Sequence, residues 1–76
     1  MANVTILGSG GFGLCLALAA LRNGHQVTVW SFSQAEVDHI REYHENALLK
    51  GVAVPEEIAL TTDISAVRDA DFVVSA

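Results

Sequence analysis

At 76 residues the chain has room for one small domain, and a composition 51% hydrophobic and 17% charged is that of a globular segment rather than a disordered one. Nine Asp and Glu stand against four Lys and Arg, a net charge of -5. Because Arg22, Arg41, Lys50 and Arg68 are scattered along the chain, the clustered basic patch that a nucleic-acid backbone needs is missing. The single cysteine, Cys15, excludes an internal disulfide framework and a Cys-based zinc knuckle. The N-terminus has no basic run ahead of an apolar one, as a secretory signal would. The apolar stretch from Phe12 to Leu21, broken by Gly13, is too short to cross a bilayer. A reducing, cytoplasmic compartment and no membrane span are the expectation.

Asn3 to Leu7 carries Val4, Ile6 and Leu7 beside the strand former Thr5 and predicts a buried strand. A glycine-rich turn follows, Gly8-Ser9-Gly10-Gly11-Phe12-Gly13. Phe12 to Asn23 predicts a helix that is apolar on nearly every side, hence one buried between a sheet and another layer, with Cys15 as inert filler. Gly24 ends it as a left-handed cap. Gln26 to Trp30 predicts a second strand. A second helix begins at Ser33, which has the spacing of a capping box with Glu36. Its inner face carries Val37 and Ile40, and it runs to about Glu45. Asn46 to Glu57, with Gly51 and Pro55, predicts a connecting loop. Ile58 to Thr61 predicts a third strand. Asp63 caps a short helix whose apolar positions are Ile64 and Val67, followed by Ala70, and Phe72 to Ala76 predicts a fourth strand.

Strands and helices alternate throughout. Right-handed crossovers between parallel strands follow, and with them an α/β fold in the order 3-2-1-4. That is the first half of a Rossmann-type doubly wound parallel sheet plus one strand of the second. Because the chain stops at its fourth strand, residues 1–76 are expected to be the N-terminal part of a longer polypeptide.

Gly8, Gly10 and Gly13 spell G-x-G-x-x-G between a strand and a helix, within a unit of about 30 residues. That context points to a dinucleotide. Gly8 permits the tight turn, Gly10 lets a pyrophosphate approach the backbone, and Gly13 lets the helix pack close to the strand. The N–H groups of Gly11, Phe12 and Gly13 at the helix N-terminus would meet the phosphates. No lysine precedes Lys50, so a P-loop is excluded, and Leu14-Cys15 does not continue as a kinase loop does.

The end of the second strand reads Val29-Trp30-Ser31-Phe32-Ser33. It holds neither the acid that takes an NAD ribose hydroxyl nor the Arg that takes an NADP phosphate, so both cofactors stay open. Ser31 and Ser33 can hydrogen-bond a hydroxyl or a phosphate, and Phe32 can cover an adenine or pack against the protein. His25 is a turn residue. His39 and His44, five apart, do not share a helix face as metal ligands would. Lys50 can reach a phosphate or remain solvated, and Glu56 and Glu57 diverge. No Ser-His-Asp set and no metal cluster stands out.

Val4-Thr-Ile-Leu-Gly-Ser-Gly-Gly-Phe-Gly13 followed by Asn23-Gly-His-Gln-Val-Thr-Val-Trp30 resembles the N-terminal part of bacterial-type NAD(P)-dependent glycerol-3-phosphate dehydrogenases. His44-Glu-Asn46, Gly51-Val-Ala-Val-Pro55, Thr61-Thr-Asp63 and Asp69-Ala-Asp71 continue the likeness over the whole chain. Where that family carries Arg two residues after the strand-end Trp, this chain has Phe32, and Lys50 stands where a proline is common. The resemblance implies a dinucleotide site of Gly8, Ser9, Gly10, Gly11, Phe12 and Gly13, with Ser31 and Phe32. It implies NAD or NADP as cofactor, a small phosphorylated substrate, and catalytic residues beyond Ala76. A ketopantoate reductase or 3-hydroxyacid dehydrogenase type of enzyme, or a non-catalytic nucleotide sensor, is the alternative. The apolar fourth strand, as an unpaired edge, is expected to drive self-association, and with the implied catalytic residues beyond Ala76 these residues are expected to be inactive alone.

Overall fold

The computed structural model describes residues 2–45 and 51–76, so Lys50 and Asn46 lie outside the described residues. Four strands form one parallel sheet: β1 (Asn3–Leu7), β2 (Gln26–Trp30), β3 (Ala59–Thr61) and β4 (Phe72–Ser75). Their order is β3-β2-β1-β4, as the alternation predicts. Two α-helices make the crossovers on the β1–β3 side, α1 (Gly11–Arg22) and α2 (Gln34–Tyr43). A 3-10 helix, Ile64–Asp69, leads into β4.

The core follows from register. Ile6 stands beside Val29, and Val29 beside Leu60, so one apolar row crosses three strands. Leu14 and Ala17 of α1 and Val37 and Ile40 of α2 join that row in a single cluster. Each helix contributes an i, i+3 pair, the spacing of one helical face. Val54 and Ile58 complete the cluster from the segment before β3.

Several expectations are corrected. Helix α1 is not buried on every side: Gly13, Leu14 and Ala17 are buried, while Phe12, Cys15 and Ala19 are exposed. A 12-residue helix lying on a sheet covers one stripe, and its outer face stays exposed among the described residues. Cys15 is therefore a surface thiol and not core filler. The short helix before β4 forms with Asp63 as its cap, as a 3-10 helix, but its apolar Ile64 is exposed. Its six residues, followed by Ala70 and Asp71 before β4, leave no length for an α-helical apolar stripe. Helix α2 ends at Tyr43, because His44 adopts a left-handed conformation at φ 54° and Glu45 bridges to Ala53. His44 thus leaves the helix that carries His39, and its imidazole lies 4.0 Å from Glu56. Strands β3 and β4 are one residue shorter than expected, at the N-terminal end of β3 and the C-terminal end of β4.

Other caps form as the sequence indicates. Gly24 follows α1 at φ 85°, and its N–H donates to the Leu21 carbonyl. His25 sits in the turn, where its Nδ1 accepts from the Ala2 N–H at 3.1 Å. Asp63 accepts from the Ser65 N–H at 2.9 Å. That bond to the backbone holds the Asp63 carboxyl below its ordinary value of 3.8.

Candidate functional site

The carboxyl ends of β1, β2 and β3 open on one edge of the sheet. Strand β1 has β2 on one side and β4 on the other, so the order of connection reverses there. In open α/β sheets such a reversal leaves a crevice beyond the strand ends where ligands bind. The glycine turn occupies that position. The Gly8 N–H donates to the Trp30 carbonyl, and the Ala76 N–H to the Leu7 carbonyl, so both ladders run to the edge of the turn.

The three glycines meet three different constraints. Gly8 has φ 133°, where a side chain is strained, and a Cβ there would lie 2.7 Å from the Ala76 carbonyl oxygen. A Cβ on Gly13 would fall on the Gly8 carbonyl oxygen, so the helix sits against the turn at backbone distance. Gly10 has ordinary backbone angles, φ -68° and ψ 179°, and a Cβ there would meet nothing within 4 Å. No strain or packing within the chain calls for glycine at this position. It is open space in front of a helix N-terminus.

That N-terminus is differently equipped from the other one. Gly10 is the N-cap of α1, with no side-chain cap and no acid in the first turn. The first intrahelical bond runs from the Leu14 N–H to the Gly10 carbonyl at 3.0 Å. The N–H groups of Gly11, Phe12 and Gly13 therefore have no acceptor within the helix. Together with the helix dipole they can receive an anion. Helix α2 has its own cap, the Ser33 hydroxyl accepting from the Glu36 N–H at 3.2 Å.

The remaining residues singled out from the sequence lie on the same edge. Phe12 is 70% exposed at the start of α1, and Phe32 is 86% exposed just beyond β2. Phe32 is thus free of the core, which leaves its ring available as an aromatic platform. Ser31 is buried, its N–H donating to the Thr61 carbonyl and its hydroxyl accepting from the Ser33 N–H at 3.1 Å. Its hydroxyl shapes the entry into α2. Ser9 is also buried and donates to Glu36 Oε1 at 2.5 Å.

Glu36 is the residue that sequence reasoning missed. In a capping box its carboxylate would return to the Ser33 N–H. That N–H is taken by Ser31, and the carboxylate crosses instead to the glycine turn. The pattern Ser-x-x-Glu was visible, but its second half is satisfied 27 residues away in sequence. Among the described residues, no group of three or more His, Cys, Asp or Glu side chains could hold a metal ion, and no helix is long and apolar enough to cross a membrane.

Residues 3–76 match the family model described as NAD-dependent glycerol-3-phosphate dehydrogenase N-terminus. The chain is 42% identical over 65 residues to a protein of Agathobacter rectalis named glycerol-3-phosphate dehydrogenase (NAD(P)+), covering 84% of this chain and 19% of that one. A protein of the same name from Bacillus velezensis is 41% identical over 78 residues, covering all of this chain and 23% of its own. Among solved structures, glycerol-3-phosphate dehydrogenase from Coxiella burnetii superposes with a TM-score of 0.86 at 26% identity, over 97% of this chain and 23% of that one. The chain thus spans about a fifth of the length of these relatives, 19–23%.

Proposed function

The chain belongs to the family of NAD-dependent glycerol-3-phosphate dehydrogenase N-termini, and on that premise we propose that residues 1–76 are the cofactor-binding part of an enzyme interconverting dihydroxyacetone phosphate and sn-glycerol 3-phosphate with NAD(P)H. The observation that carries this reading is Gly10. A residue with no conformational need to be glycine faces open space at an uncapped helix N-terminus.

In this reading Gly8, Ser9, Gly10, Gly11, Phe12 and Gly13 hold the dinucleotide. The backbone N–H groups of residues 11–13 donate to the pyrophosphate, and the α1 dipole opposes its charge. The close packing of Gly13 on Gly8 fixes where those N–H groups point. Phe32 offers its exposed ring to the adenine, while Ser31 shapes the turn that presents it. Bound NAD(P)H would supply the hydride for the substrate carbonyl carbon. The chain's own residues bind and orient, and the residues that hold the phosphorylated substrate and supply the proton lie in a further part of the enzyme. The single cysteine and a phosphorylated substrate suit a reducing, cytoplasmic setting.

The test is turnover. The full-length protein should oxidise NADH or NADPH with dihydroxyacetone phosphate and not with ketopantoate or a 3-keto acid. Activity confined to one of the latter substrates would replace the substrate assignment and keep the dinucleotide site.

A further inference from the structure

We propose that Glu36 determines which nicotinamide dinucleotide is accepted, favouring the one whose adenosine ribose ends in a 2′-hydroxyl over the one that ends in a 2′-phosphate. The inference rests on the glycine turn being a dinucleotide site. The end of β2 bears no acid, and an acid there is what normally receives the ribose hydroxyl. The fold brings one in from α2. Glu36 lies in the first turn of that helix, and its carboxylate accepts from Ser9, the residue between Gly8 and Gly10. The bond fixes the carboxylate beside the motif, next to the Ser31–Ser33 turn that closes β2. A carboxylate has room for about four hydrogen bonds, so accepting from Ser9 leaves capacity for a ribose hydroxyl.

The distribution of cations gives the discrimination its sign. Among the described residues, Arg22 is in the last turn of α1, at the far end of the helix from Gly10. The Arg41 guanidinium donates to the Leu60 carbonyl. Arg68 is in the 3-10 helix that enters β4, at the opposite edge of the sheet from the strand ends. None of these three lies in the first turn of α2 beside Glu36, and Arg41, in the last turn of that helix, is held at the Leu60 carbonyl of β3. A 2′-phosphate brought to this corner therefore meets a half-buried carboxylate, and like charges in such a setting repel strongly. A 2′-hydroxyl meets an acceptor.

A purely structural Glu36, tying α2 to the turn, would alter stability and both cofactors alike. The ratio of the two affinities separates the roles. NADH and NADPH are titrated by calorimetry into the full-length protein and its Glu36→Gln, Glu36→Lys and Glu42→Gln variants, with a thermal melt of each. Glu42 is an exposed acid on the same helix and controls for net charge. The expected result is a preference for NADH in the parent that falls by about tenfold or more in Glu36→Gln, falls further in Glu36→Lys, and is unchanged in Glu42→Gln. If Glu36→Gln and Glu36→Lys both bind with the parent ratio, the inference is overturned and the dinucleotide site stands. An equal change in Glu42→Gln overturns it as well, since net charge would then explain the ratio. If the parent binds neither cofactor, the site assignment falls and takes the inference with it.

Discussion

A methyl group added at Gly13 would land on the Gly8 carbonyl oxygen, and one added at Gly8 would demand a strained φ of 133° against the Ala76 carbonyl. Both are backbone contacts that cannot swing aside. Gly8→Ala and Gly13→Ala should each destabilise the fold by about 1–3 kcal/mol, read as a lower urea midpoint. Phe32 belongs to a different class of residue, because its ring is almost wholly exposed and holds nothing together. Phe32→Ala should leave the urea midpoint in place and weaken NADH and NADPH by the same factor, with about 1–3 kcal/mol of stacking lost. Equal loss is the signature of an aromatic platform, whereas Glu36 should move the ratio. A changed urea midpoint would return Phe32 to a packing role. The glycine spacing and the strand-end Ser-Phe-Ser were legible in the sequence, since each is local. Glu36 was not, because a carboxylate with a ready local partner gives no sign that the partner is already taken by Ser31.

The elements on the β1–β3 side were legible for a physical reason. Their apolar residues recur at the strand or helix period, and the buried row Ile6–Val29–Leu60 puts those periods in register. Helix α1 was misread as buried all round, because an apolar outer face and a covered one look alike in a single sequence. The connection before β4 was the least legible element. Its six residues are 3-10, none is buried, and one capping bond fixes its start. That bond predicts a pH dependence. The Asp63 carboxyl is held below 3.8, so its contribution is present in full above that value and is lost as pH falls through the lowered folded value. Asp63→Ala should therefore lower the urea midpoint at pH 7, and the gap from the parent should narrow as pH falls below 3.8. A gap that does not narrow with falling pH would show that something other than the ionised cap is lost.

At the scale of the molecule the sheet is unevenly covered. Strands β1 to β3 share the core, while all four residues of β4 are exposed, Phe72 at 63%. An exposed apolar strand with one free row of backbone groups pairs readily with another copy. Sedimentation velocity on residues 1–76 should show self-association that grows with concentration, and the same material should not oxidise NADH with dihydroxyacetone phosphate. A clean monomer at high concentration would contradict the first expectation, and measurable turnover the second. The parallel order 3-2-1-4 puts the strand reversal, the glycine turn and the α1 N-terminus at one place, and the functional reading depends on that coincidence. It is tested most directly by calorimetric titration of NADH into the full-length protein and its Gly10→Val variant, with circular dichroism on both. A Cβ at Gly10 meets nothing within 4 Å among the described residues, so on this account the cost of a side chain there falls on the ligand. The predicted result is a variant that keeps its spectrum and cooperative melt and loses cofactor affinity by at least about a hundredfold. Gly10→Val binding NADH as tightly as the parent would contradict the account.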